Sequence, residues 1–215
     1  MHVCTYNPSY REAVEDIHFE TGFLGSSMHT LLTNNIIWKK QITYYLDQET
    51  NSIFVFFFNK KIVGYILGCL DDKKIPFKHH FVLSTLTHAC SSIFLPTKDR
   101  IFWFSQLKSL WYTLIGLSGE RYFKTPPRSD HIHINLLPEA RSKGYGSTLL
   151  QTFEQYARQQ GVSTIHADSF ETPSTSNTHF WLKNGYTVYC KVNTSLWKSQ
   201  LPHQNIHLVC YIKQL

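Results

Sequence analysis

Between Arg141 and Ser147 the chain reads Arg-Ser-Lys-Gly-Tyr-Gly-Ser, with two glycines one residue apart, two cations before them and the hydroxyls of Ser147 and Thr148 after them. Two linked phosphates are held best by backbone N–H groups at close range, and a side chain at Cβ would keep them off. Glycines at 144 and 146 remove that obstacle and permit unusual φ angles. A helix beginning near Tyr145 would add its unpaired N–H groups and the positive end of its dipole. Arg141 and Lys143 would add formal charge. Just upstream, the run HIHINLL alternates. As a strand it places His131, His133 and Asn135 on one face and Ile132, Ile134 and Leu136 on the other. Histidine titrates near neutrality without help, so two of them on one face are candidates for moving protons. No third ligand at suitable spacing accompanies His131 and His133, so no metal site is expected. Two other phosphate signatures fail: the third glycine of the dinucleotide fingerprint is Leu149, and no Gly-Lys-Ser/Thr exists.

These residues need a strand, a turn and a helix in that order. A helix from Tyr145 to about Gln160 is expected, because Leu149, Leu150, Phe153, Tyr156 and Ala157 share one face and Gly161 closes it. Upstream, His2 to Tyr6 reads as a strand, Tyr10 to Phe23 as a helix after Pro8, and Asn35 to Gln48 as a second helix. SIFVFFF (Ser52 to Phe58) and IVGYILGCL (Ile62 to Leu70) form a hairpin across Asn59-Lys60-Lys61. Both runs are apolar on consecutive residues, which implies burial on both faces of a sheet. Residues 71–129 carry two expected helices, Phe77 to Phe94 and Lys98 to Leu117. The second is strongly apolar and reads as a core layer, a lid, or a subunit interface in a homodimer. Downstream come a strand ending at Asp168, a helix from Ser174 to Lys183, and closing strands Tyr186 to Val192 and Ile206 to Lys213.

Composition sets the outer bounds. At 215 residues, 42% hydrophobic and 17% charged, the chain suits one globular domain with an insertion. The net charge of +6 suits an anionic ligand. The basic residues are scattered with no run of five, which argues against nucleic acid. Five distant cysteines without a CxxC pair read as reduced thiols. The longest apolar stretch is interrupted by Asn59-Lys60-Lys61, so no membrane span is expected, and the reading is a cytoplasmic protein.

The string LLPEARSKGYGSTLL resembles the pyrophosphate-binding motif of the GNAT superfamily of N-acetyltransferases, R/Q-x-x-G-x-G/A, matched here by Arg141, Gly144 and Gly146. FWLKNGY (Phe180 to Tyr186) resembles the family's FYxxxGF, and IVGYILG fits its third strand. The run HIHINLLPEARSKGYG is similar to a subgroup related to the acetyltransferase-like domain of O-GlcNAcases. The resemblance implies an α/β (α+β) fold: a single domain over residues 1–215, with a mixed central sheet of about seven strands flanked by helices. It makes 71–129 a helical insertion between the third and fourth strands. It also implies a splay between His131 to Leu137 and Thr164 to Asp168. Acetyl-CoA would lie there, with the pantetheine arm near Leu136 and Leu137 and the pyrophosphate on Arg141, Ser142, Lys143, Gly144, Tyr145, Gly146 and Ser147.

An unidentified amine would attack the thioester directly. His133, His131 and Asp130 are then the candidate bases. The chain departs from the family at three places. The family's acid tyrosine is Trp181, whose indole donates a hydrogen bond but no proton at useful pKa. Asn135 stands where the subgroup often has Asp. Ser174 aligns with the coenzyme-contacting Asn, leaving Asn177 one turn later. Against the transferase stand a non-catalytic acyl-CoA sensor of the same fold, favoured by Trp181 and Asn135, and a nucleic-acid-binding protein.

Overall fold

The computed structural model describes residues 1–33, 35–70, 96–127, 129–175 and 177–215. Its centre is a seven-stranded mixed sheet in the order β1-β2-β3-β4-β5-β7-β6. The strands are β1 His2–Thr5, β2 Ile53–Phe58, β3 Lys61–Cys69, β4 Asp130–Leu136, β5 Thr164–Glu171, β6 Thr187–Asn193 and β7 His207–Gln214. Only β4 and β5 run parallel; every other neighbouring pair is antiparallel. The described helices are α1 Arg11–Glu20, α2 Ile36–Lys39, α3 Thr43–Gln48, α4 Thr97–Leu114, α5 Tyr145–Gln159 and α6 Thr178–Lys183.

Alternation along the strands assigns the two faces. Phe54, Phe56, Val63, Ile66, Ile132, Ile165, Ala167, Val209 and Tyr211 pack under α5 and α6. Ile53, Val55, Ile62, Tyr65, Leu67 and Cys69 pack under α1 and α3. The β2–β3 hairpin turns on Asn59 and Lys60 at φ 49° and 61°, the pair of positive values that a two-residue I′ turn requires. The amphipathic set expected on α5 is the one that docks: Leu149, Leu150, Phe153 and Ala157 are buried. Their helix ends where Gly161 turns the chain at φ 78°.

Several expected helices are shorter than their sequence pattern, Tyr10 to Phe23 among them, which spans Arg11–Glu20. Asn35 to Gln48 breaks at a 3₁₀ turn over Lys40–Ile42, which separates α2 from α3. Ser174 lies outside α6, because the Thr172 hydroxyl draws Ser174 and Thr175 into a side-chain-bonded turn. Instead, the buried Glu171 carboxylate accepts Asn177 N–H and the Thr178 hydroxyl, fixing the helix start four residues later. The expected helix Phe77 to Phe94 lies outside the described residues.

The expected helix from Lys98 to Leu117 is present as α4. Its Phe102 and Trp103 join Phe19, Met28, Trp38 and Trp197 in an aromatic cluster beside α1 and α2. Thr33 N–H bonds the buried Asp99 at its first turn. Ile101, Phe104, Trp111 and Leu114 remain exposed among the described residues. No helix of the described residues is long and apolar enough to cross a membrane, and none of Cys4, Cys69, Cys190 and Cys210 is in a disulfide.

Docking of α5 depends on Gly68 of β3, which faces Ile132 of β4. A Cβ built there would stand 2.1 Å from Phe153 Cε2. Gly68→Ala must displace a fully buried ring, and overpacking of this kind costs about 1–3 kcal/mol. The expected outcome is a fall of that size in the urea unfolding free energy; an unchanged midpoint would show that Phe153 has room to move.

Candidate functional site: a fork between two parallel strands

β4 and β5 pair at Asp130↔Ile165, His131↔His166 and Ile132↔Ala167, and then part. Beyond that point β4 stays with β3 as far as Leu136, while β5 stays with β7 as far as Glu171. Each arm of the fork therefore belongs to a different half of the sheet. The splay implied by the sequence resemblance is present where it was expected.

Ladder direction decides which backbone groups face the opening. Leu137 N–H bonds Val63 O, so the odd-numbered residues of β4 direct their backbone groups toward β3. The even-numbered ones, Ile134 and Leu136, direct theirs toward the departed β5. The expected contacts at the strand end were Leu136 and Leu137. Leu137 is spent on β3, and Ile134 with Leu136 supplies the main-chain donors and acceptors of the fork. The Leu136 carbonyl already accepts Arg141 Nε at 3.0 Å.

The loop after β4 is a 3₁₀ turn over Pro138–Ala140, then Arg141, Ser142 at φ 59° and Gly144 at φ 82°, and then α5. Gly144 is its N-cap, in the left-handed region that glycine enters without strain. A Cβ added there meets nothing within 4 Å, so the mouth of the helix is open. Gly146 has a different task. A Cβ on it would lie 3.1 Å from Phe180 and 3.3 Å from Leu136, so this glycine lets α6 approach α5.

Arg141, expected to add formal charge for the pyrophosphate, also makes backbone bonds of its own. Besides Leu136 O it donates to Gly25 O at 2.6 Å, tying the loop after α1 to the end of β4. Lys143 lies over the Phe58 ring, and Tyr145 stacks on Phe56, so both are held beside the opening. Ser147 lies half-buried in the first turn of α5. An open groove of about 880 Å³ runs from this loop to α1, lined among others by Asp16, Glu20, Gly25, Glu139 and Arg141.

The α1/α3 face of the fork is a polar seam. Asn135 Nδ2 donates to His133 Nε2 at 3.2 Å and to Tyr65 Oη at 3.0 Å, and Tyr65 in turn meets His18 Nδ1 at 3.1 Å. Burial pushes the pKa of His133 down to about 4 and that of His18 to about 3. His131 bonds Tyr45 Oη through Nδ1 at 2.9 Å. Burial, then neighbouring His166 and His133, pushes its pKa down to about 3. These imidazoles are neutral, so the seam carries lone pairs and N–H donors rather than positive charge.

The structure separates the candidate catalytic residues. His133 and Asn135 lie beyond the point where β5 departs, on the polar face. His131 lies on the same face but within the paired root. Asp130 falls on the α5 face with Ile132, by strand alternation, and so does not stand with the histidines. Trp181 is buried against Tyr211, Tyr186 and Phe180 on that same α5 side, its indole N–H finding no acceptor among the described residues. Asn177 caps α6 and bonds Ser169 of β5, at the outer arm of the fork. Ser174 sits in the preceding turn.

Sequence reading missed His166 and Asp168. With Thr164 they occupy alternate positions of β5, the same signal that exposed the β4 histidines. Together with His131 they bring one donor atom each to within 4.8 Å of one another. The sequence reading found no third ligand at suitable spacing for His131 and His133; this group instead joins His131 to two donors of the next strand and leaves His133 out. Tyr45, Tyr65 and His18 were also missed, since only the fold brings them to β4.

The two glycines predict different responses. Gly144→Val forces a β-branched residue to φ 82° and should cost about 1–2 kcal/mol, with Gly144→Asn costing less because Asn tolerates the left-handed region. Gly146→Val presses on Phe180 and Leu136 and should cost about 1–3 kcal/mol. Urea unfolding of the three variants checks the order; equal losses for Val and Asn at 144 would mean that φ there relaxes.

Residues 100–186 match the model described as the acetyltransferase (GNAT) family. No curated protein matches the chain in sequence. Among solved structures, the chain is similar to SsHAT, at 21% identity and TM-score 0.66 over 99% of this chain and 97% of that one. It is also similar to the polyamine N-acetyltransferase of Drosophila melanogaster, described as catalysing formation of N-acetylagmatine, at 14% identity and TM-score 0.57 over 100% and 99%. YncA from Salmonella typhimurium, solved with its cofactor acetyl-CoA, matches at 14% and TM-score 0.56 over 100% and 94%. The chain has the GNAT fold, and its segment from 100 to 186, which carries β4, the glycine loop, α5, β5 and α6, matches the GNAT acetyltransferase family.

Proposed function

We propose that the chain is an acetyl-CoA-dependent N-acetyltransferase acting on a primary amine within one domain, residues 71–129 being an insertion. The observation that carries this reading is the fork. It joins two strand arms that no longer pair with each other to a helix N-terminus whose N-cap glycine leaves open space. The donor follows from the family matched by residues 100–186 and from the neighbour solved with acetyl-CoA. In this reading the pyrophosphate rests on the first N–H groups of α5 and the loop 141–147. Arg141 keeps the loop in shape and Lys143 supplies charge. The pantetheine amides take the place of the missing strand against Ile134 and Leu136. Ser174 and Asn177 flank the outer arm.

The acetyl carbonyl then lies at the root of the fork, where a main-chain N–H polarises it. The amine nitrogen approaches from the polar seam, its lone pair forms the C–N bond, and the C–S bond breaks to release coenzyme A. The nitrogen loses a proton and the thiolate gains one. His133 Nε2, which accepts an N–H from Asn135 in this structure, can accept an N–H from the amine in the same way and pass its proton to water. The local likeness of HIHINLLPEARSKGYG to the O-GlcNAcase-associated subgroup supports the same assignment. A non-catalytic acyl-CoA sensor is the second reading, favoured by Trp181, which is locked in the core and provides no proton. Within the proposal the thiolate is protonated by solvent.

Acetyl-CoA at about a hundred times its Kd should stabilise the protein by about 2.7 kcal/mol, and Gly144→Val should lose most of that. Thiol release with a panel of primary amines should identify turnover; stabilisation without turnover on any amine would establish the sensor instead. Trp181→Tyr is expected to leave turnover unchanged, and a rise of tenfold or more would show that the position can serve as acid.

A further inference from the structure

The cluster at the root of the fork has a property that the proposed acetyl transfer does not use. His131 from β4 and His166 and Asp168 from β5 each direct one ligand-type atom to a common point, with no pair more than 4.8 Å apart. His131 and His166 are partners in the ladder, and Asp168 follows two residues on, so all three share the α1/α3 face. His131 and His166 lie within the three rungs where β4 and β5 still pair, and Asp168 stands one residue past the last of them.

The groups behind these side chains hold them as metal ligands are held. The Ser129 hydroxyl donates to Pro126 O at 2.7 Å, which uses its only hydrogen. Toward His166 Nδ1, at 2.9 Å, that oxygen must therefore accept. His166 thus carries its proton on Nδ1 and its lone pair on Nε2. Tyr45 Oη stands 2.9 Å from Nδ1 of His131 and holds that ring from its other side. On β7 the Cys210 thiol, the ladder partner of Asp168, hydrogen-bonds the carboxylate. An imidazole whose second nitrogen is fixed by an oxygen, and a carboxylate oriented by a donor, are the outer partners that metal sites use to set tautomer and direction. His166 is 1% exposed, so its ring has little freedom to turn.

We propose that His131, His166 and Asp168 form a binding site for a divalent first-row transition ion, clasping β4 to β5 at the root of the fork. Two imidazoles and one carboxylate select such an ion over calcium or magnesium, which take oxygen ligands. Bonds of about 2.0–2.1 Å place tetrahedral ligand atoms roughly 3.4 Å apart, so a pair at the 4.8 Å limit must close by about 1.4 Å through side-chain rotation. Three protein ligands leave a fourth position for water. The clasp requires no acetyl transfer and stands whether or not that reading holds.

Zinc is the probe. Protein stripped with a chelator and dialysed should take up one equivalent of Zn²⁺ with a rise in thermal midpoint, read by calorimetry and elemental analysis without any activity assay. Asp168→Asn, which keeps the shape, and His166→Gln should each weaken that equivalent by at least tenfold. Ser129→Ala should weaken it less, and His29→Gln, at an exposed histidine, should leave it unchanged. Zn²⁺ bound equally by wild type, Asp168→Asn and His166→Gln would overturn the site. X-ray absorption on the wild-type zinc complex needs no variant: a first shell of two imidazoles with oxygen is expected, and a shell dominated by sulfur, or without imidazole, would also overturn it.

Discussion

A strand has two rows of hydrogen-bonding groups, and past Ile132 one row of β4 faces no strand among the described residues. The groups of Ile134 and Leu136 must be satisfied from outside the sheet, because a buried backbone N–H or C=O left alone costs free energy comparable to a lost hydrogen bond. Arg141 already meets one of them, the Leu136 carbonyl. What remains is an extended, directional set of donors and acceptors opening beside a helix N-terminus. A ligand with amides along its length and phosphates at one end fits that row and that terminus together. The loop, the N-cap glycine and the Arg141 tie between the loop after α1 and the end of β4 are arranged around this edge.

The two arms stay apart because each is fully paired on its other side. β3 holds β4 to its end, and β7 holds β5 from Thr164 to Glu171. Packing reinforces the division. The α5 face beneath the fork is apolar and tightly filled, with Phe153 seated against Gly68 and Phe180 against Gly146. The α1/α3 face carries histidines, tyrosines and an asparagine in hydrogen-bonded chains. The fork thus separates a dry structural side from a side on which protons, amines or a metal ion can be handled. Neutral imidazoles suit all three uses, since a charged one would repel a cation.

Much of this was legible residue by residue. The alternation of HIHINLL, the amphipathic set from Leu149 to Ala157 and the glycines at 144 and 146 located β4, α5 and the loop between them, because each is governed by a local period or a local φ requirement. The roles of the two glycines were not legible. Gly144 answers to backbone conformation, which the sequence suggests, but Gly146 answers to Phe180, which lies on another helix. Asp130 read as a candidate base at the start of its strand and Trp181 as the residue in place of the family's acid tyrosine; only the faces of the sheet put both on the α5 side. The helix expected from Ser174 lost its first turn to a buried carboxylate, Glu171, whose partners are set by β5 and β7.

Taken alone, the sequence determined the periods: which residues alternate, which share a helical stripe, and where glycine must free the chain. Those are near-neighbour properties, fixed by sterics within a few residues. Only the tertiary structure decided the meetings, namely His131 with His166 and Asp168, Asn135 with Tyr65 and His18, and Arg141 with Gly25. Such contacts join residues far apart in the chain, and their geometry follows from strand order and register, which no single segment encodes.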